Sequence, residues 1–161
     1  MANRYPPLGF FFEVNFMGSF EGNSMKIAPE SRFQSVTGLT VDFQTETVKE
    51  GGENRFEHIL PVRTKYSPIV LKRGFLVDSI LIKWCRDAID NFDIQPQDVQ
   101  IKLLHVVRPD PKKPPEKTEP LVTWKVINAW PKKWSISEFN AENNSIAIET
   151  LELNFQYFKQ L

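Results

Sequence analysis

One cysteine, two histidines, seven glycines and no excess of either charge occur in 161 residues. Each shortage excludes something. Cys85 is the lone thiol, so no intrachain disulfide and no cysteine-built zinc site is available, and synthesis in a reducing compartment fits. Twenty Lys plus Arg against twenty Asp plus Glu leave no basic field for nucleic acid or an anionic membrane surface. No long hydrophobic run exists either. Near the N-terminus the run Leu8 to Phe12 is interrupted by Glu13, too short for a signal segment or a membrane span. The expectation is a soluble, unexported chain without membrane insertion and with no cofactor.

What is present is aromatic and rich in proline. Thirteen Phe, four Trp, three Tyr and twelve Pro stand beside about eight Pro expected at average usage. A chain of this length buries roughly 70% of its unfolded surface around one core, so residues 1–161 read as a single domain.

Phe10, Phe12, Val14 and Phe16 share one parity, the period-2 signature of a half-buried strand. Met17 to Arg32 reads as a loop with a short extended piece at Met25 to Ile27. Leu39, Val41 and Phe43 alternate again, after a Gly38 that suits a bulge or the start of a strand. Thr45 to Lys49 and Arg55 to Leu60 flank Glu50 to Asn54, whose Gly51 and Gly52 tolerate positive φ. That is a hairpin, its second arm ended by Pro61. Ile69 to Phe75 follows as another strand.

Val77 to Phe92 changes period. Val77, Ile80, Leu81, Trp84, Cys85, Ala88, Ile89 and Phe92 recur by threes and fours, predicting one amphipathic helix with Asp78 as N-cap and a Val77 to Ile82 staple. Val99 to Val107 alternates as a strand. Arg108 to Pro120 holds five prolines in thirteen residues and reads as a stiff exposed loop. Val122, Trp124, Val126 and Trp130 form a strand stopped by Pro131. Ser145 to Phe158 switches apolar parity, predicting a bulge near Thr150. Sequential hairpins imply a mainly β protein, an antiparallel barrel or sandwich with the helix packed outside.

The chemistry of an enzyme is missing from this pattern. His58 and His105 have no carboxylate or imidazole at metal-ligand spacing, and Cys85 sits in the apolar stripe of the helix, where burial blunts a thiol. Phosphate-loop, nucleophile-elbow and zinc-protease motifs are absent. Asp87 and Asp90 read as solvated helix charge. Two binding readings remain open, a self-assembling structural subunit that pairs its sheet edges with its neighbours and a barrel holding one small apolar ligand.

Six stretches, in order, carry a resemblance. Phe33-Gln-Ser-Val-Thr-Gly-Leu39, Glu50-Gly-Gly-Glu-Asn-Arg-Phe56, Leu60-Pro61, Ile69-Val-Leu-Lys-Arg-Gly74, Asn128-Ala-Trp-Pro-Lys-Lys-Trp134 and Ile146-Ala-Ile-Glu-Thr-Leu-Glu-Leu153 resemble the tail tube proteins of contractile phages and phage-tail-like injection systems. The resemblance implies homohexameric rings stacked into a tube, surrounded by sheath subunits, seated on a baseplate and spike hub, and open to cargo in the lumen. It also implies assembly in the bacterial cytoplasm. On the same grounds Glu50, Gly51, Gly52, Glu53, Asn54, Arg55 and Phe56 form a hairpin that reaches a neighbouring subunit. Ring stacking or partner contacts fall to Tyr5, Pro6 and Pro7 and to the loop residues Pro109, Lys112, Lys113 and Pro114. The proline-rich insert has no obvious counterpart in the main tube subunits. Tyr5 to Phe12, Trp84-Cys85 and Phe155 to Phe158 look closer to the paralogue that forms the first ring on the hub, so bulk tube and first ring both stay open.

Overall fold

The computed structural model describes residues 12–20, 22–24, 33–52, 54–77, 79–107, 117–138 and 146–161. Strand β1 (Phe12–Phe16) pairs antiparallel with β8 (Gln97–Val107), which pairs with the 20-residue β9 (Lys117–Ile136). Further along, β9 pairs with β10 (Ile148–Asn154), then β10 with β7 (Ile69–Gly74) and β7 with β4 (Ser35–Thr37). The short β11 (Tyr157–Gln160) lies on β9 as well, at residues 124–127. One strand thus serves two sheets. Its N-terminal half belongs with β1, β8 and β11, its C-terminal half with β10, β7 and β4. Asn128, with φ of 51°, lies where the partners change. Corner strands that bend from one sheet into the next are how two layers share a core.

Alternation places that core between the sheets. Val14 and Phe16 of β1, Val99 and Ile101 of β8 and Val126 of β9 meet Ile69 and Leu71 of β7 and Leu151 and Leu153 of β10, all buried. Helix α1 (Ile80–Asp90) closes the cluster with Leu81, Trp84 and Cys85. The Trp84 ring stands edge-on to Phe16 at 5.9 Å, and its indole N–H donates to the Gln95 carbonyl at 2.8 Å. Cys85 is fully buried, as its place in the stripe implied.

The core row ends in an ion pair. In the register of β7 and β10, Ile69 faces Leu153, Leu71 faces Leu151 and Arg73 faces Glu149. Arg73 Nε donates to Glu149 Oε2 at 2.7 Å and Nη2 to Ser79 Oγ at 2.6 Å, while Trp134 Nε1 donates to Glu149 Oε1 at 2.7 Å. The guanidinium also lies over the Phe33 ring at 5.5 Å. Ser79 caps α1, accepting from the Ile82 amide at 3.4 Å, so one buried network ties the helix start to both strands.

Several expectations are corrected. The cap is Ser79 rather than Asp78, because the hydroxyl at 79 also takes the Arg73 bond. Exposed Val77 makes no staple, and α1 ends before Phe92. Parity does not switch at Thr150. Odd residues face inward throughout β10, with Glu149 disguised as a surface residue by its charge, and the irregularity lies at Glu152/Leu153 instead. Pro131 sits inside β9 at that irregularity, and Lys117 to Pro120, read as loop, pair with Leu104 to Val107 of β8. Residues 108–116 and 25–32 lie outside the described part, so the extended piece at Met25 to Ile27 does too. Two-residue strands occur instead at β2 (Ser19–Phe20) and β3 (Asn23–Ser24). The mainly β, antiparallel, one-helix class stands, but β1 and β4 end the sheet path and no pairing between them closes a barrel among the described residues.

Candidate assembly surface

Two strands stand apart from the core. Among the described residues β5 (Val41–Val48) and β6 (His58–Tyr66) pair only with each other, and every residue from 40 to 65 that is described is exposed. The sequence reading of a hairpin here holds, but the arm is longer than expected. The alternating stretch at Leu39 to Phe43 runs straight into the first arm as one strand, and Pro61 lies within β6. There an irregularity at Gln44/Thr45 places Val62 as an extra residue between Pro61 and Arg63. A proline at a bulge forfeits no ladder bond.

The register divides the arm into two faces. Val41 opposite Tyr66, Phe43 opposite Thr64, Thr45 opposite Pro61 and Thr47 opposite Ile59 form a mainly apolar one. Asp42 opposite Lys65, Gln44 opposite Arg63, Glu46 opposite Leu60 and Val48 opposite His58 form a mixed-charge one. Phe43 is 69% and Ile59 66% exposed. Large apolar side chains this open are a candidate contact surface, and a lone two-stranded hairpin is at best marginally stable in water. At its root the apolar face joins the body. Tyr66 packs edge-on to Phe155 at 5.8 Å and Phe158 at 5.3 Å.

The tip collects six of the seven predicted intersubunit residues. Glu50, Gly51, Gly52, Asn54, Arg55 and Phe56 are exposed there, and Glu53 lies outside the described part. Gly52 has φ of 97°, the left-handed region that glycine enters at little cost. Lys49 Nζ lies 3.1 Å from Glu57 Oε1 across the tip, and His58 Nε2 lies 3.3 Å from Glu50 Oε1. His58 also meets the Phe56 ring edge-on at 5.1 Å. It is thus a structural neighbour of the tip, with no cluster of potential metal ligands among the described residues. Tyr5, Pro6, Pro7, Pro109, Lys112, Lys113 and Pro114 lie outside the described part, as does the His105 side chain.

A smaller polar cluster fixes the bend of β9. Asp98 accepts from the Asn128 amide at 3.1 Å and pairs with Lys125 Nζ at 2.9 Å. The hydrogen bond from Lys125 holds its carboxyl below the ordinary carboxylate value, helped by the Asn128 amide and opposed by burial.

The sequence reading did not single out Val41, Phe43 and Ile59, the large exposed apolar residues of this face. Their alternation says that one face is apolar. Whether that face is covered by the same chain or by another is not written in period-2 spacing; the adjacent Gly-Gly tip was the available signal.

Residues 8–159 match the family model described as T4-like virus tail tube protein gp19. A chain of the six-fold symmetrised cryo-EM structure of the anti-feeding prophage (AFP) baseplate is 28% identical, with a TM-score of 0.82 over 99% of this chain and 97% of that one. A chain of the PVC sheath/tube terminator, from an extracellular contractile injection system in the extended state, is 26% identical with a TM-score of 0.71 over 99% of both. In the PVC sheath-tube complex a chain 24% identical, with a TM-score of 0.71 over 98% of this chain and 93% of that one, shares the fold. No curated protein matches the sequence.

Proposed function

The chain belongs to the T4-like virus tail tube protein gp19 family and is a structural tube subunit, not an enzyme; from that premise we propose that it forms homohexameric rings in the tube of a phage-tail-like contractile injection particle, at the baseplate end. The observation that carries the baseplate end is the pair of similarities: 28% identity and a TM-score of 0.82 to the baseplate chain, against 24% and 0.71 to the sheath-tube chain. Six-fold symmetry of the baseplate structure supports the ring size.

The arm supplies the means of assembly. Its apolar face, from Val41 and Phe43 to Ile59, is covered by the neighbouring subunit in this reading, and the tip from Glu50 to Phe56 reaches furthest. Contacts of this kind are heterologous, and six identical ones close a ring. Balanced net charge keeps repulsion between stacked copies small. Tyr5, Pro6, Pro7 and the insert residues Pro109, Lys112, Lys113 and Pro114 are assigned to the contacts with the spike hub and the next ring. Sheath subunits outside and cargo within the lumen complete the partners, and assembly takes place in the bacterial cytoplasm.

Negative-stain microscopy of the purified full-length protein tests this. Single six-membered rings that lengthen only when a bulk tube subunit is added are expected. Long tubes from this chain alone would transfer it to the bulk of the tube, and a monomer at high concentration with no ring at all would overturn the reading.

A further inference from the structure

We infer that the buried pair of Arg73 and Glu149 is a register lock, which admits one pairing of β7 with β10 and thereby fixes where the arm leaves the body. The rest of the inner face of that pairing is nearly degenerate. Ile69 lies opposite Leu153 and Leu71 opposite Leu151, four aliphatic residues of similar size and all at most 2% exposed. A slip of one residue would turn this face to solvent, so the apolar pattern excludes it. It does not exclude a slip of two.

Two slipped pairings keep every side chain on its own face. In one, Ile69 faces Leu151 and Leu71 faces Glu149; in the other, Leu71 faces Leu153 and Arg73 faces Leu151. The aliphatic contacts lose little in either, but the charges no longer stand opposite each other. Glu149 is also held from both sides, since Oε2 accepts from Arg73 of β7 and Oε1 from Trp134 of β9, each at 2.7 Å. Sliding β7 along β10 sets a buried charge against an aliphatic side chain, and a buried ion parted from its partner is disfavoured by a factor on the order of a hundred or more. A satisfied buried pair adds little stability over apolar residues of similar volume. Selecting the pairing is what distinguishes it from them.

The consequence lies at the far end of β7. Pro68, next to Ile69, presents its carbonyl to Gly38, whose φ is 95° and where a side chain would meet that oxygen at 2.1 Å. The Ser67 amide donates to the Thr40 carbonyl at 3.2 Å, and β4 pairs with β7. β4, Gly38 and the root of the arm therefore travel with β7, and a slip of two residues moves them by roughly 7 Å along β10. A ring interface does not absorb such a shift. This consequence for assembly rests on the reading of the arm as an intersubunit contact, whereas the lock itself does not.

Cysteine pairs on the outer face read the register in the full chain, the native Cys85 being buried. Lys72 faces Thr150 in the observed pairing, whereas Val70 faces Thr150, or Lys72 faces Glu152, only after a slip of two. With Arg73 and Glu149 in place, Lys72→Cys with Thr150→Cys is expected to oxidise at least tenfold faster than either Val70→Cys with Thr150→Cys or Lys72→Cys with Glu152→Cys. Adding Arg73→Met and Glu149→Leu is expected to cut that preference below threefold in a protein that still melts cooperatively, while Arg73→Lys, which keeps the charge, retains it. An undiminished preference without the charges overturns the lock. So does a charge-free variant that no longer folds, because a lock is dispensable for folding itself. If the preference is lost and rings still form in normal proportion, the lock stands and the arm reading falls.

Discussion

β7 and the β5–β6 arm are built from similar residues and have opposite fates. Ile69 and Leu71 are at most 1% exposed, whereas Phe43 and Ile59, on strands with the same alternation, remain about two-thirds open. Sequence period sets which side of a strand is apolar; the presence of a covering layer sets whether that side is buried in the monomer. For β7 the layer is the rest of the chain. In the arm, on the proposed assembly, it is supplied by another subunit. The contrast extends to charge: Arg73 and Glu149 are sealed in the core with their hydrogen bonds made, while the arm pairs Lys49 with Glu57 and His58 with Glu50 in open solvent.

That comparison can be broken most forcefully at the buried pair. Glu149→Leu strands the Arg73 charge without its carboxylate and leaves the Trp134 N–H without its acceptor. A loss of about 3–5 kcal/mol is expected, seen as a melting temperature lower by roughly 10 °C or more even in a preparation that does not assemble. Double replacement with Arg73→Met recovers part of it, because removing both charges leaves no lone buried ion.

Gly38→Ala comes next. Left-handed backbone costs a non-glycine residue about 1–2 kcal/mol, and the clash with the Pro68 carbonyl adds to it, so chemical denaturation shifts to lower denaturant. Because Gly38 aims the arm, assembly falls further than stability alone accounts for.

Smaller still is Asp98→Asn, which removes the Lys125 partner for up to about 1 kcal/mol. The effect is pH-dependent with a defined sign. Asp98 is held below the ordinary carboxylate value of 3.8, so its contribution is complete above that value and is lost as the pH falls through the lower folded one. The wild-type advantage over Asp98→Asn measured by melting at neutral pH therefore vanishes in strong acid.

On folding, the arm has the least effect. Phe43→Ser with Ile59→Ser, both exposed in the monomer, changes stability within about 0.5 kcal/mol.

Much of the fold was legible because burial by the same chain writes a pattern. The alternation of Val14 and Phe16, of Val99 and Ile101 and the three-four spacing from Ile80 to Ala88 all mark faces that this chain covers. Misreadings arose where a polar or rigid residue occupies an interior position. Glu149 points inward because Arg73, brought from 76 residues away, neutralises it, and no local period announces such a partner. Pro131 and Pro61 read as strand ends, yet each sits at a bulge where its missing amide hydrogen costs nothing. The tip residues Glu50 to Phe56 were recognisable through their glycines and their family resemblance. The apolar strip beneath them was not, since no described strand of this chain covers it.

On the proposed assembly the apolar face of the arm serves contact between subunits and not the folding of its own chain. Sedimentation velocity of Phe43→Ser with Ile59→Ser, at a concentration where the unaltered protein forms rings, tests it most directly. A folded monomer is expected if the arm holds subunits together; rings in the same proportion as the unaltered protein would show that it does not.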